Sequence, residues 1–142
     1  MKDSCVFCKV INDDLPAPIV FADEVSIAFL DHRPLFPGHC LLVPRSHYET
    51  LADLPGSQIG KFFNNAQLLA NAVELALEAE GTFVAMNNRV SQSVPHLHVH
   101  IVPRRRKDGL KGFFWPRNKY QDEEHIKNTQ AAIKKAVSEL TR

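Results

Sequence analysis

From His96 to Ile101 the chain alternates polar and apolar side chains without a break: His-Leu-His-Val-His-Ile, framed by Val94-Pro95 and Val102-Pro103. A period of two belongs to an extended strand, whose successive side chains point to opposite faces. Leu97, Val99 and Ile101 therefore share one face, and His96, His98 and His100 share the other. The apolar face needs a covering layer, so the run predicts a strand over 94–102 in a sheet packed on one side. The opposite face presents three imidazoles spaced about 6.6 Å apart.

The rest of the chain supplies that sheet and its cover. Strands are expected at 19–21, 25–31, 39–44 and 82–86, bounded by Pro34, Pro37-Gly38 and Pro44. In the second of these, Ile27 and Phe29 face one side and Ala28 and Leu30 the other. Residues 57–80 carry Ile59, Phe62, Phe63, Ala66, Leu69, Ala70, Val73 and Leu77 at three- and four-residue spacing, which predicts the longest helix. Ser57 is its expected N-cap and Gly81 its C-terminal cap. Residues 122–140 predict a second amphipathic helix, with Ile126, Ile133, Val137 and Leu140 on one stripe. Strands, helix, strands, helix is the order of an α+β domain with an antiparallel sheet of about five strands and two main helices. At 142 residues the chain suits a single domain, 1–142. Within it, 1–12 carries a cysteine pair, and 104–142 holds a basic and aromatic loop followed by the last helix.

Three readings of the imidazole face stand side by side. Polar residues on a solvated strand explain any one histidine, but three at strict alternation fit poorly. His-x-His spacing also chelates metal ions. The third reading is chemical. A neutral imidazole attacks phosphorus and leaves again from the phosphoramidate, while its neighbours donate hydrogen bonds to phosphate oxygens. Cys5 and Cys8 have the spacing of metal ligands or of a redox pair, and Cys40, inside an apolar run, reads as a buried small hydrophobe.

The histidine run, with Gln92-Ser93 before it and Pro103-Arg104 after, resembles the histidine triad family of nucleotide hydrolases and transferases. So do 29–34 (Phe-Leu-Asp-His-Arg-Pro), 37–39 with 44–47 (Pro-Gly-His, Pro-Arg-Ser-His), and the opening 5–11 (Cys-Val-Phe-Cys-Lys-Val-Ile). The resemblance runs to about residue 104. The segment 109–117 is similar to the bacterial dinucleoside polyphosphate hydrolase branch.

That resemblance implies a role for each matching residue. By it, His98 attacks the α-phosphorus and forms a covalent nucleotidyl-histidine, and His100 donates to the α-phosphate. Gln92 and Ser93 contact phosphate or the leaving group. Asp31 binds the ribose hydroxyls with Phe29 beside the base, and Asn87 or Asn88 contacts phosphate. The resemblance also implies zinc, structural rather than catalytic, held by Cys5, Cys8, His47 and His96, with no catalytic cofactor required. The implied substrate is a small nucleotide, most simply a diadenosine polyphosphate. Phosphoramidate hydrolysis and phosphorolysis of the dinucleotide use the same nucleophile. The implied assembly is a homodimer. Ser91 departs from the glycine common at that position.

Other features bound the reading. A net charge of +1 gives no field to draw the chain to nucleic acid, and argues against a nucleic-acid repair role. The amino terminus lacks the apolar core of a signal peptide and nothing approaches a membrane span, so cytoplasmic residence is expected. Arg104-Arg105-Arg106-Lys107 is either a solvated charge run or a neutraliser of polyphosphate, and Trp115 either packs on a core or stacks on a second base. A nucleotide-sensing module without turnover is the reading of another class. It has no need of a nucleophile between two further imidazoles.

Overall fold

A computed structural model describes residues 4–110 and 117–141. The chain falls into two compact units, Met1–Asp108 and Gly109–Arg142. The first unit holds α1 (Val6–Ile11), β1 (Ile19–Ala22), β2 (Ser26–Leu30), β3 (Cys40–Pro44), a 3₁₀ turn (Leu51–Asp53), α2 (Gly56–Leu77), β4 (Gly81–Ala85) and β5 (Val99–Arg104). The five strands form one sheet in the order β1-β2-β3-β5-β4, and every neighbouring pair is antiparallel. This is the α+β architecture expected from the order of elements.

Strand alternation divides the core in two. One face of the sheet, with Ala28, Leu42, Val99 and Ile101, packs against Phe62, Ala66, Leu69 and Val73 of α2, and Leu97 joins this layer. Phe62 is fully buried there. The other face, with Ile27, Phe29, Leu41 and Val43, packs against Phe7 and Val10 of α1. The sequence pattern did not predict α1: a single six-residue helix is too short to show a period. The sheet is thus covered on both faces, though α1 covers only part of the histidine side.

Several boundaries differ from expectation. β5 begins at Val99 rather than Val94. It pairs with β3 from Leu42↔Val99 to Cys40↔Ile101, and the ladder stops short of Pro44, which has no N–H to donate. His96 and His98 therefore precede the strand, yet keep its alternation. Leu97 N donates to Tyr48 O at 2.7 Å in place of a ladder bond. α2 starts at Gly56, after Pro55 as N-cap, so Ser57 lies inside the first turn. The helix ends at Glu78 in the left-handed conformation, φ 51°, and Gly81 opens β4 rather than capping the helix. Ile59 lies at the partly exposed start of the α2 stripe.

Gly38 turns the chain into β3 at φ +100°, and a Cβ there would overlap the Leu77 side chain. Glycine answers both demands. This turn sets His39 at the mouth of β3.

In the second unit, α3 (Glu123–Leu140) is capped by Asp122, whose carboxylate accepts from His125 N at 2.8 Å. Its stripe of Ile126, Ile133, Val137 and Leu140 is exposed. Trp115, with Phe113 and Phe114, lies outside the described residues. Among the described residues no helix is long and apolar enough to cross a membrane.

Candidate active site

His98 is 3% exposed and lines a cavity of about 450 Å³. The apolar walls are Val6, Phe7 and Val10 of α1 with Leu15, Phe29 and Leu41, and the polar end is Asp31, Ser93, His98 and His100. Phe7 and Phe29 meet edge to face with ring centroids 5.4 Å apart. A mostly apolar cavity with polar side chains at one end suits a nucleobase at one end and a phosphate at the other.

Backbone groups settle which nitrogens carry protons. His98 Nδ1 lies 2.7 Å from the His96 carbonyl oxygen. A carbonyl only accepts, so Nδ1 carries the hydrogen and Nε2 of the neutral ring keeps its lone pair. His100 is set the opposite way. Leu35 N donates to His39 Nδ1 at 3.0 Å, so the hydrogen of neutral His39 sits on Nε2. That nitrogen lies 3.0 Å from His100 Nδ1, which must then accept. His100 Nε2 is left as a donor.

Both rings of this relay are neutral near pH 7. Burial, reinforced by the neighbouring His98 and His39 imidazoles and opposed by Asp31, pushes His100 down to about 4. Burial also lowers His39, against the pull of Asp31. The Asp31 carboxylate lies 3.7 Å from His39 Nε2 and accepts from Arg33 N at 2.9 Å through its other oxygen. Asp31, His39 and His100 lie close enough together to suit a metal ion, but both nitrogens of His39 are already engaged. His39 and His100 are better described as a hydrogen-bonded relay, with the Asp31 carboxylate beside it.

The loop before the histidines is held by its own side chains. Gln92 accepts from Arg89 N at 2.9 Å through Oε1 and donates to Glu49 O at 2.6 Å through Nε2. Asn88 Oδ1 accepts from Leu51 N at 2.8 Å, and Asn87 Nδ2 donates to Ser91 O at 3.2 Å. Ser93 lines the cavity, whereas Gln92, Asn87 and Asn88 do not. Arg89 and Ser91 adopt φ +71° and +62°, each at a cost of about 1 kcal/mol for a side chain with a Cβ. The position where a serine replaces glycine is thus one where glycine would be at ease.

Cys5, Cys8, His47 and His96 converge, with all their donor atoms within 4.8 Å of one another. Cys5 Sγ and Cys8 Sγ lie 3.4 and 3.6 Å from His96 Nδ1, and Cys8 Sγ lies 3.3 Å from His47 Nδ1. Ligand bonds of about 2.3 Å to sulfur and 2.0 Å to nitrogen put neighbouring corners of a tetrahedral zinc site about 3.5 Å apart. His96 Nε2 lies 2.9 Å from the Pro44 carbonyl oxygen, so Nε2 carries the hydrogen and Nδ1 turns its lone pair toward the sulfurs. Burial, partly offset by the Pro44 bond, lowers His96 to about 4, which keeps it in the neutral form a metal needs. The four residues fit a closed structural zinc site.

The three arginines of the basic run, from Arg104 at the end of β5 to Arg106, have partners in place. Arg104 pairs with Asp108 at 2.6 Å and Arg106 with Glu80 at 2.6 Å, while Arg105 donates to the Leu77 carbonyl at the end of α2. None of these three arginines lines the cavity.

Sequence reasoning missed two groups. His39 stands in the motif Pro37-Gly38-His39, and a polar residue opening an apolar strand was the available signal. Val6, Phe7 and Val10 become a cavity wall only through α1, which shows no period.

A five-stranded antiparallel sheet carrying this histidine face defines a HIT-domain protein, and the HIT domain model matches residues 12–107. The chain belongs to the HIT family. It is 34% identical over 110 residues to adenosine 5'-monophosphoramidase HNT1 of Saccharomyces cerevisiae, covering 75% of this chain and 67% of that protein. It is 33% identical over 112 residues to adenylylsulfatase HINT3 of Arabidopsis thaliana, covering 78% of this chain and 57% of that one. Among solved structures, a HIT family protein of Bacillus subtilis superposes with a TM-score of 0.84 at 32% identity, covering 93% of this chain and 96% of that one. A zinc-bound histidine triad protein of Mycobacterium smegmatis superposes at 0.73 with 34% identity, covering 97% and 99%.

Proposed function

We propose that this protein cleaves nucleotides at the α-phosphorus through a nucleotidyl-His98 intermediate, as a hydrolase or transferase. The observation that carries the reading is the pair of opposed tautomers: a lone pair on His98 Nε2 beside a donor on His100 Nε2, in one cavity. His98 Nε2 attacks phosphorus, the bond to the leaving group breaks, and that group departs with its electron pair. Ser93 hydrogen-bonds the departing atom, which takes its proton from solvent. His100 stabilises a nonbridging oxygen. The nucleotidyl-imidazole carries positive charge, which the His96 carbonyl steadies through Nδ1–H. Water then attacks the same phosphorus, releasing the nucleoside monophosphate and restoring His98.

Phe29 lies beside the base, and Asp31 binds the ribose hydroxyls. Gln92, Asn87 and Asn88 act by holding the loop that carries Ser93. Trp115 is a candidate contact to a second base. The quartet Cys5, Cys8, His47 and His96 holds one structural zinc per chain, a reading favoured by its corner distances and by the zinc-bound relative. The subunit pairs with a copy of itself, a reading supported by the resemblance and by the outer position of β4 in the sheet.

A diadenosine polyphosphate is the first candidate substrate. The names of the yeast and plant relatives favour adenylyl phosphoramidates and adenylylsulfate as the nearest rivals, which share the nucleoside half and differ in leaving group. Diadenosine tetraphosphate, adenosine 5'-phosphoramidate and adenylylsulfate should be assayed with and without inorganic phosphate. Adenylate should appear from at least one, with the highest kcat/KM on the dinucleotide. His98→Ala turning over at the normal rate would overturn the reading.

A further inference from the structure

The zinc quartet and the nucleophile are joined by one short helix. α1 has six residues, too few to hold a helix alone. Its N-cap is Cys5, whose sulfur accepts from Cys8 N at 3.4 Å, so the cap and the proposed metal centre are the same group of atoms. Phe7 lies between the two cysteines and is 7% exposed. Its ring centroid is 5.1 Å from that of His98 and 5.9 Å from that of His96, at interplanar angles of 79° and 74°. It also meets Phe29 edge to face.

His98 is therefore steadied from two directions, and both lead to the quartet. Its Nδ1–H is held by the main-chain carbonyl of His96, whose own ring faces the sulfurs. Its ring meets that of Phe7 nearly at right angles, and Phe7 directly precedes Cys8 and is one residue removed from Cys5. Val6, Phe7 and Val10 of α1 form part of the wall of the nucleotide cavity. Releasing the cysteines frees the cap of α1, and with it both the wall and the ring beside His98.

We propose that Phe7 is a positioning residue that links the Cys5–Cys8–His47–His96 centre to His98 and the nucleotide cavity, so that metal and nucleotide each tighten the binding of the other. This rests on the reading of the cavity as a nucleotide site and of the quartet as a zinc site. The linkage is reciprocal by thermodynamic necessity: whatever factor zinc contributes to nucleotide affinity, nucleotide contributes to zinc affinity.

The test uses the full chain loaded with zinc, and its main readout is metal affinity rather than turnover. The zinc dissociation constant is measured by competition with a chromophoric chelator, alone and with saturating adenosine or adenosine 5'-monophosphate. Adenosine is included because it has no phosphate to offer the metal. Both should tighten zinc by about 5-fold or more. Phe7→Ala retains all four ligands and should bind zinc with the nucleotide effect lost. Phe7→Leu keeps an apolar wall but loses the ring beside His98, and should lose kcat about tenfold and most of the nucleotide effect on zinc, whereas a full nucleotide effect in this variant removes Phe7 from the proposal. Adenosine monophosphate that binds the native chain and leaves zinc affinity unchanged overturns the linkage while sparing the function. Failure of the nucleotide to bind at all overturns the function instead, and failure to bind zinc overturns the linkage together with the zinc site. Phe7→Ala with the nucleotide effect intact removes Phe7 from the proposal. If that variant does not fold, the native chain and Phe7→Leu decide.

Discussion

Replacing His39 separates a hydrogen-bond relay from simple packing. Native His39 accepts from Leu35 N at 3.0 Å and faces His100 Nδ1 at 3.0 Å, and is 3% exposed. His39→Ala removes the donor that keeps His100 in its Nε2–H form. One neutral hydrogen bond is worth about 0.5–1.5 kcal/mol, a loss of about 2- to 13-fold in kcat if it is felt in the transition state. His39→Gln places an amide N–H close to the position of Nε2 and should restore most of the rate. His39→Glu offers an acceptor where the native chain offers a donor. It drives the His100 hydrogen to Nδ1, removes the donor aimed at the phosphate, and should cost more than His39→Ala. The order native, Gln, Ala, Glu is read by steady-state kinetics on an adenylyl substrate, and the tautomers by imidazole nitrogen NMR. Equal losses in all three variants would refute the relay and leave His39 as packing.

The same geometry sets four other outcomes. Cys5→Ser or Cys8→Ser should take zinc from about one per chain to none by metal analysis, and at zinc about a thousandfold above its dissociation constant should lower stability by about 4 kcal/mol. His100 titrates at about 4 when folded, against an ordinary 6.5. The unfolded chain therefore takes up a proton there first, and the stability it contributes, complete above pH 6.5, should fall toward pH 4 by up to about 1.4 kcal/mol per pH unit, seen as a falling urea midpoint. Arg106→Ala breaks a mostly exposed pair with Glu80 and should change stability by less than about 1 kcal/mol and kcat/KM not at all, in thermal melts and kinetics. Ser91→Gly should stabilise the loop by up to about 1 kcal/mol, read by equilibrium unfolding, because φ +62° suits glycine.

The sheet was legible because burial on one face imposes a period of two. The alternation of Ile27 and Phe29 against Ala28 and Leu30, and of Leu97, Val99 and Ile101 against the histidines, reappears as the two core layers. α2 was legible for the same reason at a period of about 3.6. The boundary of β5 was not, since it depends on the missing N–H of Pro44 in a different strand. The metal quartet was legible only through family resemblance, because His47 and His96 are distant in sequence from the cysteines. The relay through His39 was not legible at all: it depends on a backbone amide, Leu35 N, fixing a tautomer two rings away from the phosphate site. The resemblance puts Gln92 on phosphate or the leaving group and either Asn87 or Asn88 on phosphate; what sequence did not show is that their side chains bond main-chain groups of the loop.

The nucleophile itself can be caught directly. Brief mixing with an adenylyl substrate, quenching without acid, proteolysis and mass spectrometry locate any covalent adenylate. The account requires the adduct on the peptide spanning His98, absent from His98→Ala and retained in His100→Ala. Substrate consumed by the native chain with no adduct at His98, or an adduct that survives His98→Ala, would contradict it.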